Sequence, residues 1–148
     1  MQRRLVLQSL IGMLITLPLQ GFAKLIDMTW SKNAFESTKI EDATQRLNID
    51  NEIISTDIDL AAPDRAENGA IVQVEVTSHI ANTEIITILV EHNPTPLIAE
   101  FMFSNGALPF VVTRIKMAET STIKIVVKAN GRYFKTSKNV EVLSNGCG

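Results

Sequence analysis

Thr122-Ile123-Lys124-Ile125-Val126-Val127-Lys128-Ala129-Asn130-Gly131-Arg132-Tyr133-Phe134 sets Ile123, Ile125 and Val127 against Lys124 and Lys128. That period of two is the pattern of a strand with one buried face, and Asn130-Gly131 is the preferred chemistry of a two-residue hairpin turn. The same pattern spreads outward in both directions. Upstream, Val111, Thr113, Ile115 and Met117 face one way while Arg114 and Lys116 face the other, and Ala99, Phe101 and Phe103 form a set closed by Asn105-Gly106. Ile85 to Val90 is a nearly continuous apolar run, suited to a strand covered on both sides, and it ends at Asn93-Pro94-Thr95-Pro96. Val72, Val74 and Val76 alternate with Ile71, Gln73 and Glu75; Ile53 to Leu60 comes before them, and Val140 and Val142 follow the hairpin. Seven or eight short strands separated by turn chemistry predict an all-β sandwich.

One helix is expected ahead of the strands. Thr38-Lys39-Ile40-Glu41 has the form of a capping box, and Ile40, Ala43 and Leu47 then fall on one helical face, placed to pack against the sandwich. Trp30 and Phe35 are the aromatic candidates to cover an open edge or end of the sheet. No internal repeat, low-complexity stretch or linker divides the chain, so residues 24–143 read as one domain.

The first 23 residues read differently. Arg3 and Arg4 form a basic start, Leu5 to Pro18 is apolar apart from Gln8, Ser9 and Thr16, and Gly21-Phe22-Ala23 supplies small residues at a cleavage spacing. Pro18 and Gly21 interrupt the run and no basic stop-transfer cluster follows, which favours a cleaved export signal over a membrane anchor. The adjacent arginines fit the twin-arginine type, which carries folded proteins. Cleavage after Ala23 leaves 12 basic residues against 16 acidic ones, a formal charge of −4. An acidic exported chain has no nucleic-acid footprint, and the mature form is expected in the periplasm without a membrane span.

Export decides how the single cysteine is read. Cys147 stands one residue from the end, in Ser144-Asn145-Gly146-Cys147-Gly148, and has no partner within its own chain. In an oxidising compartment it either bonds to another molecule or stays free for reaction. Glycine on either side relaxes the backbone, and a mobile arm of residues 144–148 would carry the sulfur about 16 Å from the domain. With one Cys and two His, a zinc site with several thiolates is excluded. Catalytic machinery is missing too: His79 and His92 lack a nucleophile elbow or paired carboxylates, and Asp57, Asp59 and Asp64 lack calcium-loop spacing and read as solvated. No basic residue lies between Lys138 and the C-terminus to activate the thiol. Cys147 therefore reads as an attachment point served by other enzymes. A second reading makes the chain an interaction module whose cysteine only forms an intermolecular disulfide, giving a Cys147-linked dimer. A thiol oxidoreductase would need a second cysteine or a nearby base, and has neither.

The chain resembles the SoxY family, sulfur carriers of the periplasmic thiosulfate-oxidising (Sox) system. The resemblance covers nearly the whole sequence: the twin-arginine signal, Pro63-Asp64-Arg65-Ala66-Glu67-Asn68-Gly69-Ala70, Leu89-Val90-Glu91-His92-Asn93-Pro94, Thr113-Arg114-Ile115-Lys116-Met117 and the terminal Gly146-Cys147-Gly148. The family's usual tail is Gly-Gly-Cys-Gly-Gly; here Asn145 replaces the first glycine and the last is missing. The resemblance implies an immunoglobulin-like β-sandwich that is not an enzyme, holds no cofactor or metal, and pairs with a SoxZ-like β-sandwich subunit. It implies a c-type cytochrome enzyme that conjugates thiosulfate to Cys147, a manganese-dependent hydrolase that releases sulfate to leave a persulfide, and a sulfane dehydrogenase that oxidises the remaining sulfur. Asn145, Gly146 and Gly148 would form the swinging arm. Either Ile85 to Val90 or Phe101 to Phe103 is expected at or beside the SoxZ-like interface.

Replacing Arg3 and Arg4 together by lysine is expected to strand the protein in the cytoplasm, whereas wild type yields a periplasmic chain beginning at or near Lys24. Cell fractionation with intact-mass measurement checks this, and a normal periplasmic yield of the variant would indicate ordinary unfolded export.

Overall fold

A computed structural model describes residues 30–144. Nine strands occupy most of them: β1 (Ile53–Ile54), β2 (Ile58–Ala61), β3 (Arg65–Ala66), β4 (Val72–Ser78), β5 (Thr83–Val90), β6 (Leu97–Met102), β7 (Phe110–Ile115), β8 (Ser121–Ala129) and β9 (Arg132–Val142). The larger sheet runs β1-β9-β8-β5-β6, with β3 also pairing with β9, and the smaller runs β2-β4-β7. The expected immunoglobulin-like sandwich is present. Its strand count exceeds seven because Ser55 to Asp57 break the Ile53 to Leu60 segment in two, and because Arg65–Ala66 pairs in parallel with Glu141 and Val142. The stretch after the hairpin is one continuous strand rather than two.

The hairpin that reveals the fold forms as its sequence demands. Asn130 and Gly131 sit at φ 51° and 71°, a pair of left-handed residues that matches the twist of β8 and β9, which pair from Ala129↔Arg132 to Ser121↔Val140. Between the sheets, Val72, Val74 and Val76 meet Ile86, Ile88, Val90, Ile123, Ile125 and Val127, with Ile115, Met117 and Val140 completing the core. Apart from Met117, which lies two residues past β7, each of these sits on the inward face of its strand, so alternation in sequence becomes one continuous apolar layer.

β5 carries a second apolar face. Leu89 points away from the core, and with Val126 and Leu97 it is covered by Ala34, Ala43, Phe35, Ile40 and Leu47. These come from two short helices, α1 (Lys32–Phe35) and α2 (Ile40–Arg46). The helical layer thus lies on the outside of the larger sheet. α2 uses Ile40, Ala43 and Leu47 as the spacing predicts, but its start differs. Lys39, extended at φ −126° and ψ 144°, is the N-cap, and no side chain caps the helix. Thr38 lies one residue too early to cap it, and Glu41 and Asp42 in the first turn complement the exposed amides instead. The first helix was not signalled, since four residues carry too little periodicity to read.

Where α2 hands over to β1, Asn48 and Asn51 adopt positive φ and turn the chain back along the sheet. Glu52 then lies nearly buried, with Lys124 Nζ at 2.6 Å and Lys135 Nζ at 2.9 Å. Burial by itself raises the Glu52 carboxyl, but the hydrogen bonds and charges of the two lysines outweigh it and hold the group below its ordinary value. This triad fixes β1 beside β9 and lies over β8.

Glu52→Gln is expected to destabilise the domain by about 1–2 kcal/mol at pH 7, between the values for exposed and fully buried ion pairs, because two partly buried lysines lose their counter-charge. Since the folded carboxyl is lowered, its contribution is complete above the unfolded value and is lost as pH falls through the folded one. Denaturant titration of both proteins at pH 7 and pH 3 checks this: the difference between them should shrink at the lower pH.

Candidate functional site

Ser144, the last described residue, is held in place. Its carbonyl accepts a hydrogen bond from Gly69 N–H at 3.0 Å, and one residue earlier Leu143 N–H donates to the Ala66 carbonyl at 2.9 Å. Glu141 N–H likewise donates to the Asp64 carbonyl at 3.0 Å. Residues 64–69 therefore form a strap along the end of β9, of which β3 is the regular part. Two ion pairs reinforce it: Arg65 Nε with Glu141 Oε2 at 2.9 Å and Lys138 Nζ with Asp64 Oδ1 at 2.9 Å. The bond and charge of Lys138 keep the Asp64 carboxyl below its ordinary range. Arg65, Glu141 and Asp64 are exposed and Lys138 is half-buried, so the pairs set register more than stability.

Gly69 does double duty. Its carbonyl accepts from Met117 N–H at 2.8 Å, so one residue ties the end of β9 in the larger sheet to the residues just past β7 in the smaller. The turn after β5 joins the same end of the sandwich. Asn93 donates from Nδ2 to the Lys116 carbonyl at 2.7 Å and accepts at Oδ1 from Ala118 N–H at 2.8 Å. His92 N–H donates to Ser121 Oγ at 2.9 Å, and Thr120 Oγ1 accepts from Val142 N–H at 2.9 Å. The Pro63 to Ala70, Leu89 to Pro94 and Thr113 to Met117 segments, distant in sequence, thus meet near Ser144. Sequence reasoning quoted these segments without assigning them this role. Asn93-Pro94 was legible as a turn, but not as a neighbour of the C-terminal strand.

Cys147, Asn145, Gly146 and Gly148 lie outside the described residues, as do Arg3, Arg4 and the cleavage region. The two histidines are engaged as surface residues. His79 Nε2 lies 2.8 Å from Asp59 Oδ2, and His92 Nδ1 lies 3.3 Å from the Thr120 carbonyl and 3.6 Å from Glu119 Oε1. Asp57, Asp59 and Asp64 do not converge, and among the described residues no group of three or more His, Cys, Asp or Glu is arranged to hold a metal ion. Among the same residues no helix is long and apolar enough to cross a membrane.

A second feature lies on the side of the sandwich where both sheets end in an unpaired strand. β6 and β7 flank a groove of about 590 Å³, lined by Phe101, Met102, Phe103, Phe110, Val111 and Val112, with Trp30 and Phe35 on its lip. The rings of Trp30 and Phe35 are 5.8 Å apart and tilted by 35°. Trp30, Met102, Phe110 and Val112 are all exposed. Glu100 also faces the groove; burial raises its carboxyl above the ordinary range, partly offset by the Thr87 hydroxyl at 3.5 Å. Of the two segments expected near an interface, Ile85 to Val90 is the interior strand β5, paired on both sides with β8 and β6 and covered on both faces. Its apolar run reflects that double burial. Phe101 to Phe103, by contrast, lies on the free edge.

The family described as Sulfur oxidation protein SoxY matches residues 44–147. Among solved structures, the sulfur carrier protein SoxY from Chlorobium limicola f thiosulfatophilum superposes with a TM-score of 0.65 at 34% identity, covering 77% of this chain and 100% of that one. Two variants of superoxide reductase (neelaredoxin) from Ignicoccus hospitalis reach a TM-score of 0.51 at 18% identity, over 57% of this chain and 78% of theirs, a likeness of fold alone. No curated protein matches. With a family match across most of its length and a carrier of the same fold at 34% identity, the chain belongs to the SoxY family.

Proposed function

We propose that this protein is a non-enzymatic carrier of sulfur intermediates in the periplasm, with Cys147 as the covalent attachment point and Asn145, Gly146 and Gly148 as the arm that presents it. The observation that carries this reading is the extent of the family match, which runs to residue 147 and so includes the cysteine itself. The arm root supports it: hydrogen bonds hold the chain as far as Ser144, three residues short of the sulfur.

The chemistry needs only the thiol from this chain. In conjugation the Cys147 S–H loses its proton, a sulfur–sulfur bond forms to the outer sulfur of thiosulfate, and two electrons pass to the c-type cytochrome enzyme, leaving a cysteine S-thiosulfonate. Hydrolysis by the manganese-dependent partner breaks the bond between the terminal sulfonate and its neighbouring sulfur. Water supplies the fourth oxygen of sulfate, two protons are released, and a persulfide stays on the protein. A sulfane dehydrogenase then acts on that sulfur. A tethered substrate of this kind is kept at high effective concentration near each enzyme that meets the arm.

The partner subunit has a natural place. An exposed edge strand is normally paired, covered or guarded by charge. β6 and β7 expose unpaired edges beside an apolar groove, and a SoxZ-like β protein fits that surface by adding strand or loop backbone along an edge while burying Trp30, Met102 and Val112.

Cys147→Ser is expected to leave stability within about 0.5 kcal/mol of wild type and to abolish sulfur loading. Intact mass after exposure to thiosulfate and the conjugating enzyme decides it: wild type gains one thiosulfate group, removable by reductant, and the variant gains none. A wild type that forms only a reducible dimer would support the disulfide module instead.

Met102→Lys combined with Val112→Glu is expected to leave the domain folded and to weaken binding to the SoxZ-like subunit at least tenfold, by calorimetry or co-elution. Unchanged binding would place that partner elsewhere.

A further inference from the structure

Resting on the placement of the SoxZ-like subunit at the open side of the sandwich, we propose that Glu100 is the charged anchor of that interface and receives an arginine side chain from the partner. Among the described residues lining the groove beside β6 and β7, Glu100 alone carries a charge; the rest are aromatic or aliphatic. Its cross-strand neighbour is Thr87, which alternation sets on the outer face of the larger sheet together with Leu89. Phe35 packs in the same outer cluster as Leu89, and Trp30 stands against Phe35. The carboxylate and these two rings therefore share one side of the groove.

Glu100 is half-buried and poorly served by its own chain. The Thr87 hydroxyl reaches it only at 3.5 Å, and among the described residues no basic side chain pairs with it. Behind it lies a small cavity of about 60 Å³ closed by Leu47 and Ile49, in which Lys128 on β8 and Tyr133 on β9 are the other titratable groups; neither bonds to Glu100. Burial accordingly holds the carboxyl above its ordinary range. A partner that covers the apolar groove strips the remaining water from this group, and a carboxylate desolvated without a counter-charge opposes binding. The partner must therefore bring a cation to this point. A guanidinium suits the site better than an ammonium, because its fork bonds both carboxylate oxygens while its flat faces stack on aromatic rings such as Trp30 and Phe35.

The test uses the full-length mature chain and the SoxZ-like subunit purified from the same cells, with binding followed by calorimetry and by the emission of Trp30, the single tryptophan. Glu100→Gln keeps the shape and removes the charge, so its thermal midpoint should equal or exceed that of wild type while binding weakens roughly tenfold or more. Replacing the partner's arginines by glutamine one at a time should identify one whose loss weakens wild-type binding as much, yet costs Glu100→Gln nothing further. Pairing lowers the carboxyl from its raised free value, so binding releases protons. Its contribution to affinity is complete above the free value and is lost as pH falls through the bound one, a dependence absent in Glu100→Gln. Unchanged affinity of Glu100→Gln, coupling to none of the partner's arginines, or proton uptake on binding would each overturn the anchor. If Met102→Lys with Val112→Glu still loses binding in those cases, the placement of the partner stands without it; if that variant also binds as wild type, the placement itself is overturned.

Discussion

The molecule is organised by one strand that is apolar on both faces. In β5, Ile86, Ile88 and Val90 enter the core between the sheets while Leu89 turns outward, and all four are fully buried. A strand of that kind is stable only with cover on each side. The smaller sheet supplies one cover. The other comes from the two short helices, whose Ala34 and Ala43 bring the helical backbone close to Leu89 and Val126. Seven and four residues are too short for helices to persist alone in water, so they exist because the sheet offers them an apolar surface.

Burying the larger sheet so thoroughly leaves its periphery to do the functional work. The side bounded by β6 and β7 exposes two unpaired edges beside an apolar groove. The end near Ser144 is closed by backbone hydrogen bonds instead of side-chain packing. Peptide groups of residues 64, 66 and 69 bond in turn to residues 141, 143 and 144, so the final strand is paired almost to its last described residue. Hydrogen bonds of this kind contribute individually little net free energy, but they are directional. They fix the position of Ser144 at the end of the final strand.

Charge is arranged to match. Glu52 with Lys124 and Lys135 is the most buried ion cluster among the described residues, and it sits over the larger sheet away from the arm exit. The pairs at the strap are solvent-exposed, and both histidines have surface partners. None of these groups is positioned as a catalyst for a sulfur–sulfur bond.

Much of this was legible in the chain itself. Alternation of β-branched residues determined the strands and which side chains face the core, because side chains in a strand change face at every residue. Asn130-Gly131 determined a hairpin. The capping pattern at Thr38 misled by one residue, since helix ends respond to packing as well as to local sequence. The apolar run of β5 was legible as a strand covered on both sides, yet it also stood as one of two candidates to lie at or beside an interface, because a strand buried twice and a strand awaiting a partner look alike in sequence. The tertiary structure places β5 between β8 and β6 and leaves β6 at the edge. It also decided that residues 64–69 hold the C-terminal strand, since Gly69 and Ser144 are 75 positions apart and their hydrogen bond joins two backbone groups that carry no mark of residue identity.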